Sequence, residues 1–118
     1  MSRPAPITQA AVRRLALALP ETIEGPHFDR TAFRVRNKIF ATLPPNGKSI
    51  NLKTTPANLD ALVAADRAAF QDVWDGRWVG VTLARVRLPM LRDLVVDAWR
   101  LAAPKRLAAT LGLPRPRS

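Results

Sequence analysis

The stretch from Thr31 to Lys53, TAFRVRNKIFATLPPNGKSINLK, sets the tightest limit on the fold. Apolar and basic residues alternate through it with the period of a half-buried strand, and two turn signals cut it into three runs, a cationic meander. In the first turn Asn37 tolerates the positive φ that a two-residue hairpin needs, while Arg36 is a poorer occupant of the other central position. In that register Val35 faces Lys38, Arg34 faces Ile39 and Phe33 faces Phe40. Phe33, Val35 and Phe40 then point to one side, and Ala32, Arg34, Ile39 and Ala41 to the other. Pro44-Pro45-Asn46-Gly47 makes the second turn, and Ser49 to Lys53 returns with Ile50 and Leu52 inward and Asn51 and Lys53 outward.

Helical patterns flank the meander. After Thr8 as N-cap, Val12, Leu15, Ala16 and Leu19 recur on one face until Pro20 stops the pattern, leaving Arg13 and Arg14 on the wet side. Glu21 to Phe28 contains Gly25-Pro26 and reads as a short edge strand or a loop, because proline donates no ladder hydrogen bond. Thr55-Pro56 opens a second helix, with Leu59, Leu62 and Val63 inward, ending near Ala65. Residues 66–76 read as a loop or irregular strand. Arg77 to Leu83 reads as a strand, with Val79, Val81 and Leu83 on one face and Trp78, Gly80 and Thr82 on the other. Pro89 opens the last long helix, whose stripe of Leu91, Leu94, Val95, Ala98, Trp99 and Ala102 puts Trp99 in the core. Lys105 to Leu111 reads as a short continuation after Pro104, and 112–118 as a mobile tail. At 118 residues the expectation is one domain over 1–118, ordered from about 7 to 111. Its class is α+β, with an antiparallel sheet of about four to five strands, helices packed on one face, and N-terminal and C-terminal helices flanking.

Several chemistries are closed to this chain. It has no cysteine, so disulfides, zinc thiolates and thiol nucleophiles are excluded. His27 is the only histidine and reads as structural or surface, with no second histidine at metal-ligand spacing. There is no G-x-S-x-G, and Gly47-Lys48-Ser49 lacks both the earlier glycine and the following helix of a phosphate-binding loop. No catalytic residue, metal site or cofactor is therefore expected. The N-terminus lacks the apolar run of a signal peptide, and no run of about 18 apolar residues occurs, so the chain reads as a soluble, cytoplasmic, monomeric protein without a membrane partner.

The formal net charge is +10, which points to a polyanionic partner. Its distribution is uneven: six Lys or Arg between residues 27 and 53 face only Asp29, whereas 54–75 is acidic. Arg34, Arg36, Lys38, Lys48, Lys53, Arg77, Arg85 and Arg87 are the candidate phosphate contacts. Trp78, on the outward face, is a candidate for stacking on a base, and Trp74 shares the ambiguity, although a packed tryptophan is the commoner case.

The order of motifs also resembles a known family. LPETIEGPHF is followed by F-x-V-x-x-K-x-F-A (Phe33, Val35, Lys38, Phe40, Ala41). Then come INLK (Ile50 to Lys53), a strand opening with Trp78-Val79, and a final helix through DAWRLAAPKRLAA. Over about residues 9 to 111 this resembles the MmcQ/YjbR family. The resemblance implies a CyaY-like, or frataxin-like, two-layer architecture and DNA binding, and it brings no catalytic residues. Asn37 stands where relatives often have glycine, which keeps the turn. Val73-Trp74-Asp75 stands where many carry a His-Tyr pair, so no role of that pair transfers. Iron binding on an acidic helix ridge is not carried over, because the first helix has no Asp or Glu. The expectation is a non-enzymatic module that binds DNA with low sequence specificity. The alternative is a protein-interaction or small-ligand module whose basic face meets an acidic partner.

Overall fold

A computed structural model describes residues 7–111. The expected tail at 112–118 lies outside the described residues. The elements in chain order are α1 (Gln9–Leu17), β1 (Thr22–His27), β2 (Arg30–Val35), β3 (Lys38–Leu43), β4 (Ser49–Lys53), α2 (Pro56–Ala65), β5 (Phe70–Asp72), β6 (Trp78–Thr82), α3 (Leu88–Ala102) and α4 (Lys105–Ala109), with a 3₁₀ turn at Leu83–Arg85. The fold is α+β, and its sheet has six antiparallel strands in the order β1-β2-β3-β4-β6-β5. The count exceeds four to five because Glu21 to Phe28 forms a full edge strand and the stretch after α2 supplies the three-residue β5 on the other edge.

Local chemistry explains the boundaries. The Thr8 hydroxyl accepts from the Ala11 N–H, and the Thr55 hydroxyl from the Asn58 N–H, with Pro56 at the start of α2. Between β2 and β3, Arg36 and Asn37 have φ of 49° and 69°, the left-handed pair that a two-residue hairpin of this hand requires.

The register of that hairpin departs from simple alternation. Val35 pairs with Lys38 and Arg34 with Ile39, but Phe33 pairs with Ala41, so Phe40 is the extra residue of a β-bulge. Phe33 therefore does not face Phe40 directly, and Ala41 is not on the outer face. The bulge turns Phe40, Ala41 and Leu43 all toward the helices, where each is buried. It sends Thr42 to the opposite side, in register with Ala32 and Asn51.

The core lies between the sheet and the helices. Phe33, Val35, Phe40, Ile50, Leu52, Val79 and Val81 join Val12, Ala16, Leu59, Leu91, Val95 and Trp99 in one cluster. Burial of these side chains is the main stabilising contribution, at about 1.5–3 kcal/mol for each large one. Trp99 is fully buried as its spacing requires, and its indole Nε1–H donates to the Pro20 carbonyl at 3.1 Å, tying α3 to the corner after α1.

On the other face, a row of small or uncharged residues crosses all six strands in register: Gly25, Ala32, Thr42, Asn51, Gly80 and Gln71. Ala32 is fully buried yet takes no part in the helix-side cluster, which confirms that this row belongs to the other layer. Val73, in the loop after β5, closes over one end of it. A Cβ added at Gly80 would lie 2.6 Å from Val73 Cγ1, so glycine here leaves the room that the Val73 side chain fills. Gly80→Ala should therefore destabilise the chain by roughly 1–3 kcal/mol. Adding Val73→Ala should recover most of the loss, as read by urea denaturation.

Candidate nucleic-acid interface

Strand direction sorts the candidate cations into two groups. Val35 pairs with Lys38, and Lys53 pairs with Trp78. Arg34, Arg36, Lys38, Lys53 and Arg77 thus gather at one end of the sheet. Lys48 lies at the other end, where its carbonyl accepts from the Leu83 N–H at 3.0 Å, so the turn carrying Arg85 starts beside it and Arg87 follows. The eight residues do not form one patch.

They also differ in orientation. Arg34 and Lys53 lie on the face away from the helices. Arg34 donates to the Pro26 carbonyl at 3.4 Å and lies against Gly25 of β1. Lys38 shares the register of Val35 and leans to the helix side of the hairpin. Arg36 is the only one of the eight in an ion pair among the described residues: its Nε and Nη2 both bond the Glu21 carboxylate. That hydrogen bond holds the Glu21 carboxyl below the usual carboxylate range. Arg13 lies on the wet side of α1 as expected, and there it pairs with Glu24 of β1 at 2.7 Å.

The outer face carries no carboxylate on any of its strand positions. Reading across the register, β1 presents Ile23, Gly25 and His27, β2 presents Arg30, Ala32 and Arg34, and β3 presents Ile39 and Thr42. β4 adds Ser49, Asn51 and Lys53, β6 adds Trp78, Gly80 and Thr82, and β5 adds Gln71. Arg30 is a cation on this face that sequence reasoning missed, since its neighbour Asp29 hid it; the two are 3.2 Å apart. Phe28, in the turn beside it, is 93% exposed at a φ of 58°, an unusual place for an aromatic.

The two ambiguous tryptophans meet here. Trp74 and Trp78 pack edge to face with ring centroids 5.6 Å apart, and Lys53 Nζ lies 5.5 Å from the centre of the Trp78 ring. Neither ring belongs to the helix-side core. Trp78 is half-buried, and Trp74 is 48% exposed. The loop between them is pinned: Asp72 Oδ1 accepts from the Trp74 and Gly76 N–H groups, both at 3.2 Å, and the Val73 N–H donates to the Trp78 carbonyl.

The helix side holds a different feature, a cleft of about 220 Å³ between α2, α3 and the sheet. Leu52 and Val79 form its floor, Leu62, Leu94 and Leu101 its walls, and Asp97 and Asn58 stand on its polar rim. Asp97 is an exposed residue overall, yet partial burial beside the cleft's leucines desolvates its carboxylate and pushes its pKa up. Arg100 opposes that shift and Asp93 adds to it. Among the described residues no three His, Asp or Glu side chains gather as a metal site would need. No helix among them is long and apolar enough to cross a membrane.

A family model described as YjbR matches residues 17–101. By structure the chain is similar to a Deinococcus radiodurans protein with a DUF419 domain, with a TM-score of 0.74 at 23% identity, covering 97% of this chain and 94% of that one. It is also similar to a Pseudomonas syringae protein, with a TM-score of 0.61 at 18% identity, covering 86% of this chain and 99% of that one. Both likenesses are of fold. No curated protein sequence matches the chain.

The cleft yields a prediction with a definite sign. A carboxyl whose pKa rises on folding stabilises the fold below its unfolded pKa, and that contribution is lost as pH rises through the folded value. Asp97→Asn should therefore raise the melting temperature at pH 7 by a small amount. The gain should vanish as the pH is lowered below the carboxylate range.

Proposed function

The chain belongs to the YjbR family, and from that premise we propose that it is a non-enzymatic module that binds DNA through its phosphate backbone with low sequence specificity. The observation that carries this reading is the charge of the outer sheet face, which offers Arg34, Lys53 and Arg30 and no strand carboxylate. Lys38 and Arg77 extend the same end of the sheet, so a phosphate chain passing there meets Arg34, Lys38, Lys53 and Arg77, with Asp72 of β5 as the strand acid at that end, its Oδ1 engaged by the Trp74 and Gly76 N–H groups. Lys48, Arg85 and Arg87 form a second, separate basic end. Phosphate contacts of this kind position a nucleic acid without reading its bases.

A competing reading sets an acidic protein on the same cations. Co-purification with such a protein that persists after nuclease treatment would favour it. The cleft at Asp97 separately supports a small-ligand role, since it joins an apolar floor to a polar rim.

Four phosphate contacts correspond to a slope of roughly −3 to −4 in log K against log salt for duplex DNA. A salt titration on nuclease-treated protein measures it, and a flat response would remove the DNA reading. Glu21 competes with phosphate for Arg36, so Glu21→Gln should tighten DNA binding a few-fold at low salt and steepen the slope by about one unit. Arg36→Gln should weaken DNA binding modestly at low salt, because it leaves the Glu21 carboxylate without its counter-ion beside the phosphates.

A further inference from the structure

Resting on the DNA-binding reading, we infer that the ligand of the outer sheet face is single-stranded DNA, with unstacked bases seated on the Trp74–Trp78 pair and the backbone held by Lys53 and Arg34.

Three observations converge on this. The first is a pair of tryptophans, Trp74 exposed and Trp78 half-buried against it, on a face that no helix among the described residues covers. Packing against the core does not account for them, because neither ring touches the helix-side cluster. A pair of rings in water is a poor use of tryptophan unless something flat covers it, and a base has such a face whatever its identity. The second is the company the rings keep. Lys53 lies over Trp78, and Arg34 stands on the same face at the same end of the sheet. A base on Trp78 would thus bring its phosphate toward Lys53, and a strand continuing across β4 and β3 would reach Arg34 on β2. Neither cation makes an ion pair among the described residues, and of the loop's own carboxylates, Asp72 and Asp75, the first is engaged by two backbone N–H groups. The third is rigidity. Asp72 clamps the loop through two backbone N–H groups, and Val73 is seated over Gly80. A platform ordered before binding loses little conformational freedom when a base arrives.

The geometry selects a single strand over a duplex. In a duplex the base faces are covered by their neighbours, so the rings would meet only the backbone. Stacking needs bases already free of the helix. It also selects DNA over RNA, because Ile23, 59% exposed, and Ile39 stand beside Arg34 on this face. They offer apolar contact to a deoxyribose. A ribose 2′-hydroxyl placed there would give up water without finding a partner.

The test uses the full chain, freed of nucleic acid, with a labelled thymidine oligonucleotide of about 15 nucleotides, the corresponding duplex, and a uridine oligonucleotide. The thymidine strand should bind at least about tenfold more tightly than the duplex and quench tryptophan fluorescence. Trp74→Ala should weaken that complex by roughly 5- to 100-fold, while duplex binding changes little. Trp74 lies in an exposed loop, so this variant is expected to keep the fold, which its circular dichroism and melting temperature would verify. Trp78→Phe, which retains an aromatic face, should retain most of the affinity, and Trp78→Leu should not.

Duplex binding equal to or tighter than that of the single strand, or unchanged thymidine binding in both Trp74→Ala and Trp78→Leu, would overturn this inference alone. The duplex salt slope would then still support the phosphate reading. Tighter binding of the uridine strand would overturn the choice of DNA. Absence of binding to all three at low salt would take down this inference together with the reading beneath it.

Discussion

A single extra residue in β3 decides which chemistry each face of the sheet presents. Without the bulge at Phe40, alternation would carry Ala41 and Leu43 to the outer face and push the Thr42 hydroxyl into the apolar core. With it, Phe40, Ala41 and Leu43 all enter the core, and Thr42 joins the row of small and polar residues outside. A core with Phe33, Phe40 and Trp99 at its centre and an outer face with few apolar residues both depend on that one insertion. Its cost is visible in the Thr42 hydroxyl, which is buried among its neighbours with no hydrogen-bond partner.

Much of this fold is legible in the sequence, because its signals are local. Thr8 and Thr55 cap the helices that their positions announce, Arg36-Asn37 turns the hairpin, and the spacing of Leu91 to Ala102 puts Trp99 inside. The bulge leaves no such trace. Phe40 and Ala41 are adjacent apolar residues that fit either register, and only packing against α3 selects the one observed. β5 is hidden for a similar reason, since three residues are too few to show a period, and Phe70 is the one buried member.

The candidate site is less legible than the fold, because it depends on pairing between distant segments. Eight cations look equivalent along the chain. Once β4 lies between β3 and β6, five fall at one end and three at the other. Arg36 meets Glu21 only because β1 runs back along β2, and Arg13 meets Glu24 only because α1 crosses the start of that strand. The result is a division of charge between layers. The acidic partners of Arg13 and Arg36 lie at β1, while Lys53 and Arg34 make no ion pair among the described residues. The meeting of Trp74 with Trp78 is equally invisible in the sequence, because it needs Val73 folded down onto a glycine on the next strand.

The margins of the sheet have their own consequence. β5 offers only three residues of free edge. β1 on the opposite side includes Pro26, which has no N–H to give, and Gly25, which supplies no side chain for a neighbour to pack on. Neither margin is a template for another strand, so the sheet is protected from growing sideways into a continuous ladder with its own copies. An extended peptide that recruits partners by adding to an edge would find no purchase here either. Whatever docks on this molecule has to approach it broadside or at the strand tips.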